Sequence, residues 1–239
     1  MRYIEKNHNT DKVLKHKKEL IRCQLDKSSL LNNEGKYATR TGRQLYDLVK
    51  AMTTFPYLKL QLYDDQGGIC CYCGLKLEYP FNPQFRVEHV KPKDSHRELV
   101  GEYENLLLSC RATKEELEIR KNTPNREERR KLFHCDEAKG AEEITYSPLN
   151  PECENAYIYE IDGNIKGIDD AAKKDIETLG LGCDYLKRRR SEAIGVWFDD
   201  DISSEDLLKC KDAIMSRDKD NQLAEFCFVI SNVIEQFLS

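Results

Sequence analysis

Cys70-Cys71-Tyr72-Cys73-Gly74 contains a C-x-x-C pair, and Cys110 and Cys135 each border a polar cluster. Two thiolates on a tight turn can reach one tetrahedral zinc, and four close a structural site. A glycine after the second cysteine eases the turn. The spacing predicts Cys70, Cys73, Cys110 and Cys135 as the ligands. Cys71 could replace Cys70 only through a C-x-C geometry. Two other readings stay open: a redox pair, for which the thioredoxin-like strand–helix–strand context is missing, and four ordinary core cysteines.

A second set lies between those cysteines. Glu88 and His89 are adjacent, Asn105 follows, and His134, Asp136 and Lys139 cluster around Cys135. They supply a histidine that can be neutral at pH 7, carboxylates for a hard cation, an orienting amide and a lysine for phosphate. Hydrolysis of a phosphodiester needs those parts: a base for water, a cation for the charge on phosphate and leaving oxygen, and a brace for the base.

Several elements must position these groups. Phe85 to Val90 has strand composition and ends at Pro92; on a regular strand Glu88 and His89 would face opposite sides, but at a strand end both can approach one centre. Tyr103 to Ser109 is predicted as a second strand, and residues 134–139 as a helix with Asp136 and Lys139 on one face. Residues 112–133 read as a charged, helix-prone insertion closed at its base by metal, a staple that a small β-rich core needs. Ahead of the site, a helix is expected over 10–25, capped by Thr10 or Asp11, with Val13, Leu14, Leu20 and Ile21 on one face. A loop is expected over 26–41 and a helix over 43–54. Pro56 starts another, which Gly67-Gly68 ends, although Leu58, Leu60 and Leu62 also alternate like a strand. After the site come a hairpin near 157–166, helices at about 169–178 and around 185–190, one at 204–216 capped by Ser203 with Asp206, and a last at about 221–238.

Composition bounds the rest. The chain has 239 residues, of which 39% are hydrophobic and 34% charged, so it can bury a real core. No apolar run approaches bilayer length and the first residues hold no apolar signal region, so a cytoplasmic protein with no membrane is expected. Disulfides are unfavoured there, and Cys23, Cys183, Cys210 and Cys227 are expected to be buried free thiols. The net charge of −5 gives no global nucleic-acid signature, but residues 1–50 hold 12 basic and 6 acidic side chains, and residues 191–239 hold 4 and 11. Lys187-Arg188-Arg189-Arg190, and Arg120-Lys121 with Arg129-Arg130-Lys131, are candidate backbone contacts; solvated helix faces are the plainer reading. His96 reads as exposed, and His8 and His16 carry no signal.

The order C-x-x-C, Glu-His-Val-x-Pro, Asn-Leu-Leu-Leu-x-Cys and Cys-Asp-x-x-Lys resembles the HNH endonucleases of the ββα-metal fold. The phrases Gln66 to Cys73, Tyr103 to Cys110 and His134 to Gly140 are most similar to the PtuB-type nucleases of Septu and related retron anti-phage systems. Leu179 to Gly182, followed by Arg188 to Arg190, fits their C-terminal half. The resemblance implies an α+β fold: a zinc-stapled ββα-metal core over 67–145 with a helical insertion at 111–133, a helical segment at 1–66, and a mostly helical region at 146–239. It implies His89 as general base, Glu88 as acidic metal ligand, Asn105 as the brace of the loop bearing the base, and Asp136 as second ligand of a catalytic Mg2+ or similar ion. Structural Zn2+ would sit on the four cysteines. Glu88 stands where Asp or His is commoner, and Asp136 where His or Asn is, so His134 remains an alternative to Asp136. Contacts of Lys139, Arg188, Arg189 and Arg190 with nucleic acid would complete the site. Implied partners are DNA or RNA, an ABC-type ATPase resembling PtuA, and a retron reverse transcriptase with its msDNA. The rival class is a non-catalytic zinc module that binds nucleic acid or protein, for which Glu88, His89 and Asn105 would be superfluous.

Overall fold

Four helices precede the cysteine turn, and their ends follow from local chemistry. In this computed structural model, which describes residues 1–32, 36–78, 85–111, 118–119, 121–125, 128, 132–198 and 203–238, they are α1 (Asp11–Cys23), α2 (Lys27–Leu31), α3 (Gly42–Lys50) and α4 (Phe55–Gln66). Thr10 caps α1 and Thr41 forms a capping box with Gln44 on α3. Gly67, at φ 65°, ends α4 as the sequence predicts. The expected loop at 26–41 instead contains α2, because the Asp26 carboxylate accepts from the Ser29 amide and starts a short helix.

The buried face of α1 differs from the predicted one. Val13 and Leu20 are buried, but Leu14 and Ile21 face solvent, and His16 and Glu19 take their places inside. The reason is polar. The Glu19 carboxylate accepts from the amides and hydroxyls of Thr53 and Thr54, so α1 supplies the N-terminal cap that Thr54 does not give its own helix α4. His16 bridges Thr54 Oγ1 at 2.9 Å and the Gly101 carbonyl at 3.0 Å. His16→Ala should therefore cost about 2–3 kcal/mol in denaturant unfolding, because it leaves a buried carbonyl unpaired; a loss below ~0.5 kcal/mol would show that water replaces the ring.

The central hairpin pairs β1 (Phe85–His89) antiparallel with β2 (Leu106–Cys110), with Glu88 opposite Leu107 and His89 opposite Leu106. A short 3-10 turn at Tyr103–Asn105 feeds β2, so this strand starts later than predicted. All of β2 is buried, and its outer edge is not left open. The Gln66 side chain accepts from the Leu108 amide at 2.6 Å and donates to its carbonyl at 2.8 Å, and the Cys71 amide adds a bond at 3.1 Å. The short helix α5 (Asp136–Lys139) follows Cys135.

The C-terminal part holds the hairpin β3 (Tyr157–Tyr159) and β4 (Ile165–Gly167), then α6 (Asp170–Thr178), α7 (Asp184–Gly195), α8 (Ser204–Met215) and α9 (Cys227–Leu238). Ser203 caps α8. The last helix begins later than predicted because the chain before it is extended onto the cysteine turn. Leu223 donates to the Gly67 carbonyl, Phe226 donates to that of Gly74, and Phe226 sits at φ 56°. A Cβ on Gly74 would lie 2.8 Å from the Phe228 ring, so α9 packs directly on the turn. Of the four predicted buried thiols only Cys227 is buried; Cys23, Cys183 and Cys210 are half-buried, whereas Cys153, which the sequence does not single out, is buried. The predicted insertion lies largely outside the described residues. The fold is thus α+β, with two small antiparallel sheets among helices. Among the described residues no helix is long and apolar enough to cross a membrane.

Candidate metal centre and catalytic cleft

Cys70, Cys73, Cys110 and Cys135 are buried, and their sulfurs all lie within 4.8 Å of one another. Cys70 Sγ is 3.7 Å from Cys135 Sγ, and Cys73 Sγ is 3.8 Å from Cys110 Sγ. Ligands at the usual Zn–S length place tetrahedral sulfurs about 3.8 Å apart, so the donor set fits a metal such as zinc. Cys71 lies outside this group; its amide instead meets the Leu108 carbonyl. Cys135 sits at φ 60°, a conformation that costs a side-chain residue roughly 1–3 kcal/mol and persists where its surroundings over-determine it.

Beside the thiols opens a cleft of about 830 Å³, with Glu88, His89 and Asp136 among its lining residues. His89 ends β1, which is where two adjacent strand residues can reach one space. Its Nε2 lies 3.0 Å from the Val100 carbonyl and its ring meets Tyr46 of α3 edge-on at 4.6 Å. A carbonyl only accepts, so Nε2 carries the proton and Nδ1 is left as the basic nitrogen. Burial pushes the ring's pKa down to about 4, so it is neutral at pH 7.

Asn105 holds the loop that makes this possible. Its Oδ1 accepts from the Lys91 amide at 2.7 Å, and its Nδ2 donates to the Lys91 carbonyl at 3.0 Å and the Leu99 carbonyl at 3.4 Å. Both ends of the segment from Val90 to Val100 are thereby fixed. α3 presses on the same segment, since a Cβ on Gly42 would lie 1.9 Å from the Lys93 carbonyl oxygen.

The Glu88 carboxylate is buried. Its Oε1 accepts from the Tyr72 hydroxyl at 2.7 Å and pairs with Lys139 Nζ at 2.8 Å. Burial pushes the Glu88 carboxyl up, Lys139 opposes this, and the nearby Asp136 carboxylate reinforces it. Asp136 is partly open, with its amide donating to Ser109 Oγ at 3.3 Å and Arg86 Nη1 3.5 Å from its carboxylate. Two adjacent carboxylates offer oxygen donors of the kind a hard divalent ion takes. Glu88 and Asp136 therefore fit a hard divalent ion such as Mg2+ as oxygen donors.

No family model matches the chain. Over 56 residues it is 39% identical to the Septu protein PtuB of Bacillus thuringiensis. That match covers 23% of this chain and spans 21% of the relative. The chain is thus similar to a Septu protein over one segment, about a fifth of that protein's length.

The geometry also redistributes the other predicted site residues. His134 leans on the thiols, its Nδ1 3.3 Å from Cys135 Sγ and 3.5 Å from Cys110 Sγ, and stacks on Tyr185, whereas Asp136 lines the cleft. Lys139 is sealed inside, where it pairs with Glu88 and donates to the His89 carbonyl at 3.1 Å; it does not present its charge to a backbone phosphate. Arg190 is likewise buried, donating to the carbonyls of Gly163 and Leu181. Arg189 pairs with Glu225 at 2.9 Å, and Arg188 is exposed. Arg120, Arg129, Arg130 and Lys131 lie outside the described residues. His96 is half-buried against Glu143 rather than exposed. The cations that line the cleft are others: Arg43, Lys50 and Lys59 from α3 and α4, with Lys93 and Arg111, and Arg86, which pairs with Asp136 and Glu137. Each stands alone in the sequence, so no run marks them.

Proposed function

We propose that this chain is an HNH-type, metal-dependent endonuclease of ββα-metal architecture, with β1, β2 and α5 as its core and zinc on the four cysteines. What supports the reading is one convergence: a neutral His89 ring held by the Val100 carbonyl, beside the Glu88 and Asp136 carboxylates, in a cleft lined with Arg and Lys. In this mechanism Arg43, Lys59, Lys93 and Arg111 bind backbone phosphates. Asn105 keeps the Val90–Val100 segment in place, so His89 Nδ1 faces the attacking water and takes its proton. Glu88 and Asp136 would hold the divalent ion, which when bound stabilises charge on the scissile phosphate and the leaving oxygen. No step uses a 2′-hydroxyl, so DNA and RNA, including tRNA, are both chemically suited.

The partial likeness to a Septu protein supports a defence role, as the nuclease of a complex with a PtuA-like ATPase and, in a retron setting, a reverse transcriptase with its msDNA. The acidic C-terminal stretch is the docking surface in this reading. The direct test incubates the zinc-replete chain, with and without the ATPase, with duplex DNA, single-stranded DNA and RNA. Cleavage in Mg2+ that stops with EDTA and returns with excess Mg2+ is expected; no cleavage of any substrate, or cleavage indifferent to EDTA, overturns the assignment.

A further inference from the structure

Tyr72 lies between the two cysteines of the C-x-x-C turn, fully buried, and its hydroxyl leaves that turn to reach Glu88. A tyrosine that merely fills a core needs only some acceptor for its proton. This one is spent on the carboxylate oxygen that Lys139 also holds, so Oε1 is fixed by two donors and Oε2 is the oxygen they leave over. On the opposite side it is the backbone of Asp136 that is tied to the thiol group. Asp136 directly follows Cys135, and its amide donates to Ser109 Oγ, directly before Cys110. The turn itself is immobilised from behind by the Phe226 amide on the Gly74 carbonyl and by the Phe228 ring.

We infer that Tyr72 is a positioning residue: it transmits the geometry of the thiol-bound metal to Glu88 and so sets the affinity of the cleft for its divalent ion. This rests on the reading of Glu88 as a cation ligand in the proposed nuclease. Tyr72 does not touch substrate or the reacting atoms. Partners one step behind a metal ligand fix its orientation, and removing them commonly costs about 10- to 100-fold in metal affinity.

The test titrates Mn2+ into zinc-replete protein and follows the free ion by electron paramagnetic resonance, for wild type, Tyr72→Phe, Glu88→Gln and the double variant. Phe keeps the ring and removes only the hydroxyl. The expected result is one retained zinc and a cooperative melt lowered by no more than a few degrees for Tyr72→Phe, with Mn2+ affinity roughly 10- to 100-fold weaker. In the Glu88→Gln background the Tyr72 change should add nothing, because its effect passes through Glu88. Unchanged Mn2+ affinity in Tyr72→Phe, an additive loss in the double variant, or a wild type that binds no Mn2+ overturns the inference. So does a Tyr72→Phe chain that unfolds or drops its zinc, since the hydroxyl is then a structural group. Cleavage is scored separately: a wild type whose Mn2+ binding depends on Tyr72 but which cuts nothing removes the nuclease reading and leaves this one standing.

Discussion

His89→Ala should lower cleavage about 10²- to 10⁴-fold, the range expected when a positioned general base is lost. Zinc content and Mn2+ binding should be retained, because the imidazole takes no part in either donor set. The pH dependence makes the prediction sharper. An ordinary histidine loses its basic form as pH falls through about 6.5. Burial pushes His89 down to about 4, so its Nδ1 lone pair persists well below that point. A divalent cation on Glu88 and Asp136 would push the ring in the same direction. At saturating Mg2+, which keeps the raised Glu88 carboxyl ionised, the rate of the wild type should therefore stay level from pH 8 to about 5.5 and fall only nearer the shifted value of His89. A single-turnover series across that range decides it. A midpoint near 6.5 would mean that the ring is not buried as the structure places it, and a His89→Ala variant that cuts at the wild-type rate would remove His89 from the chemistry.

The second large effect concerns the thiols. Cys73→Ser, or a strong zinc chelator, should destabilise the chain by on the order of 4–5 kcal/mol, which for a chain of this size lowers the melting temperature by about 10–15 °C. Three consequences add here. The remaining buried thiols lose their common partner, the unusual conformation of Cys135 loses what holds it, and the extended segment before α9 loses the firm turn on which it packs. Cys71→Ser is the matched control, because Cys71 is equally buried yet outside the four-thiol group. Metal content and thermal melts of the two variants answer the question. Equal melting temperatures, or zinc retained by Cys73→Ser, would assign the four cysteines to ordinary packing.

Much of the scaffold was legible because its signals are local. The Gly67 stop, the Thr10 and Ser203 caps and the β3–β4 hairpin each depend on neighbours within a few residues. The C-x-x-C spacing was equally direct, since a tight turn brings Cys70 and not Cys71 to the other two sulfurs. What was illegible depends on partners far along the chain. His16 carried no signal and Glu19 was not singled out, because Thr53, Thr54 and Gly101, which satisfy them, are remote in sequence. Lys139 and Arg190 carry the same letters as solvated charges, and only the positions of Glu88, Gly163 and Leu181 reveal them as buried. The cleft cations escaped for the opposite reason. Arg43, Lys59, Lys93 and Arg111 are isolated, and the run Lys187 to Arg190 drew notice although its last member faces inward.

The four-thiol group also bears on how this chain can vary. Cys110 and Cys135 bracket residues 111–134, and their sulfurs lie within 4.8 Å of each other. The entropy of closing a chain segment grows only with the logarithm of its length, about 0.6 kcal/mol for each doubling. Once metal fixes both ends, the stretch between them can lengthen, shorten or change composition while the thiols, Ser109 and Asp136 keep their places. A four-thiol junction of this kind thus uncouples the length of the chain between Cys110 and Cys135 from the geometry of the centre that they close.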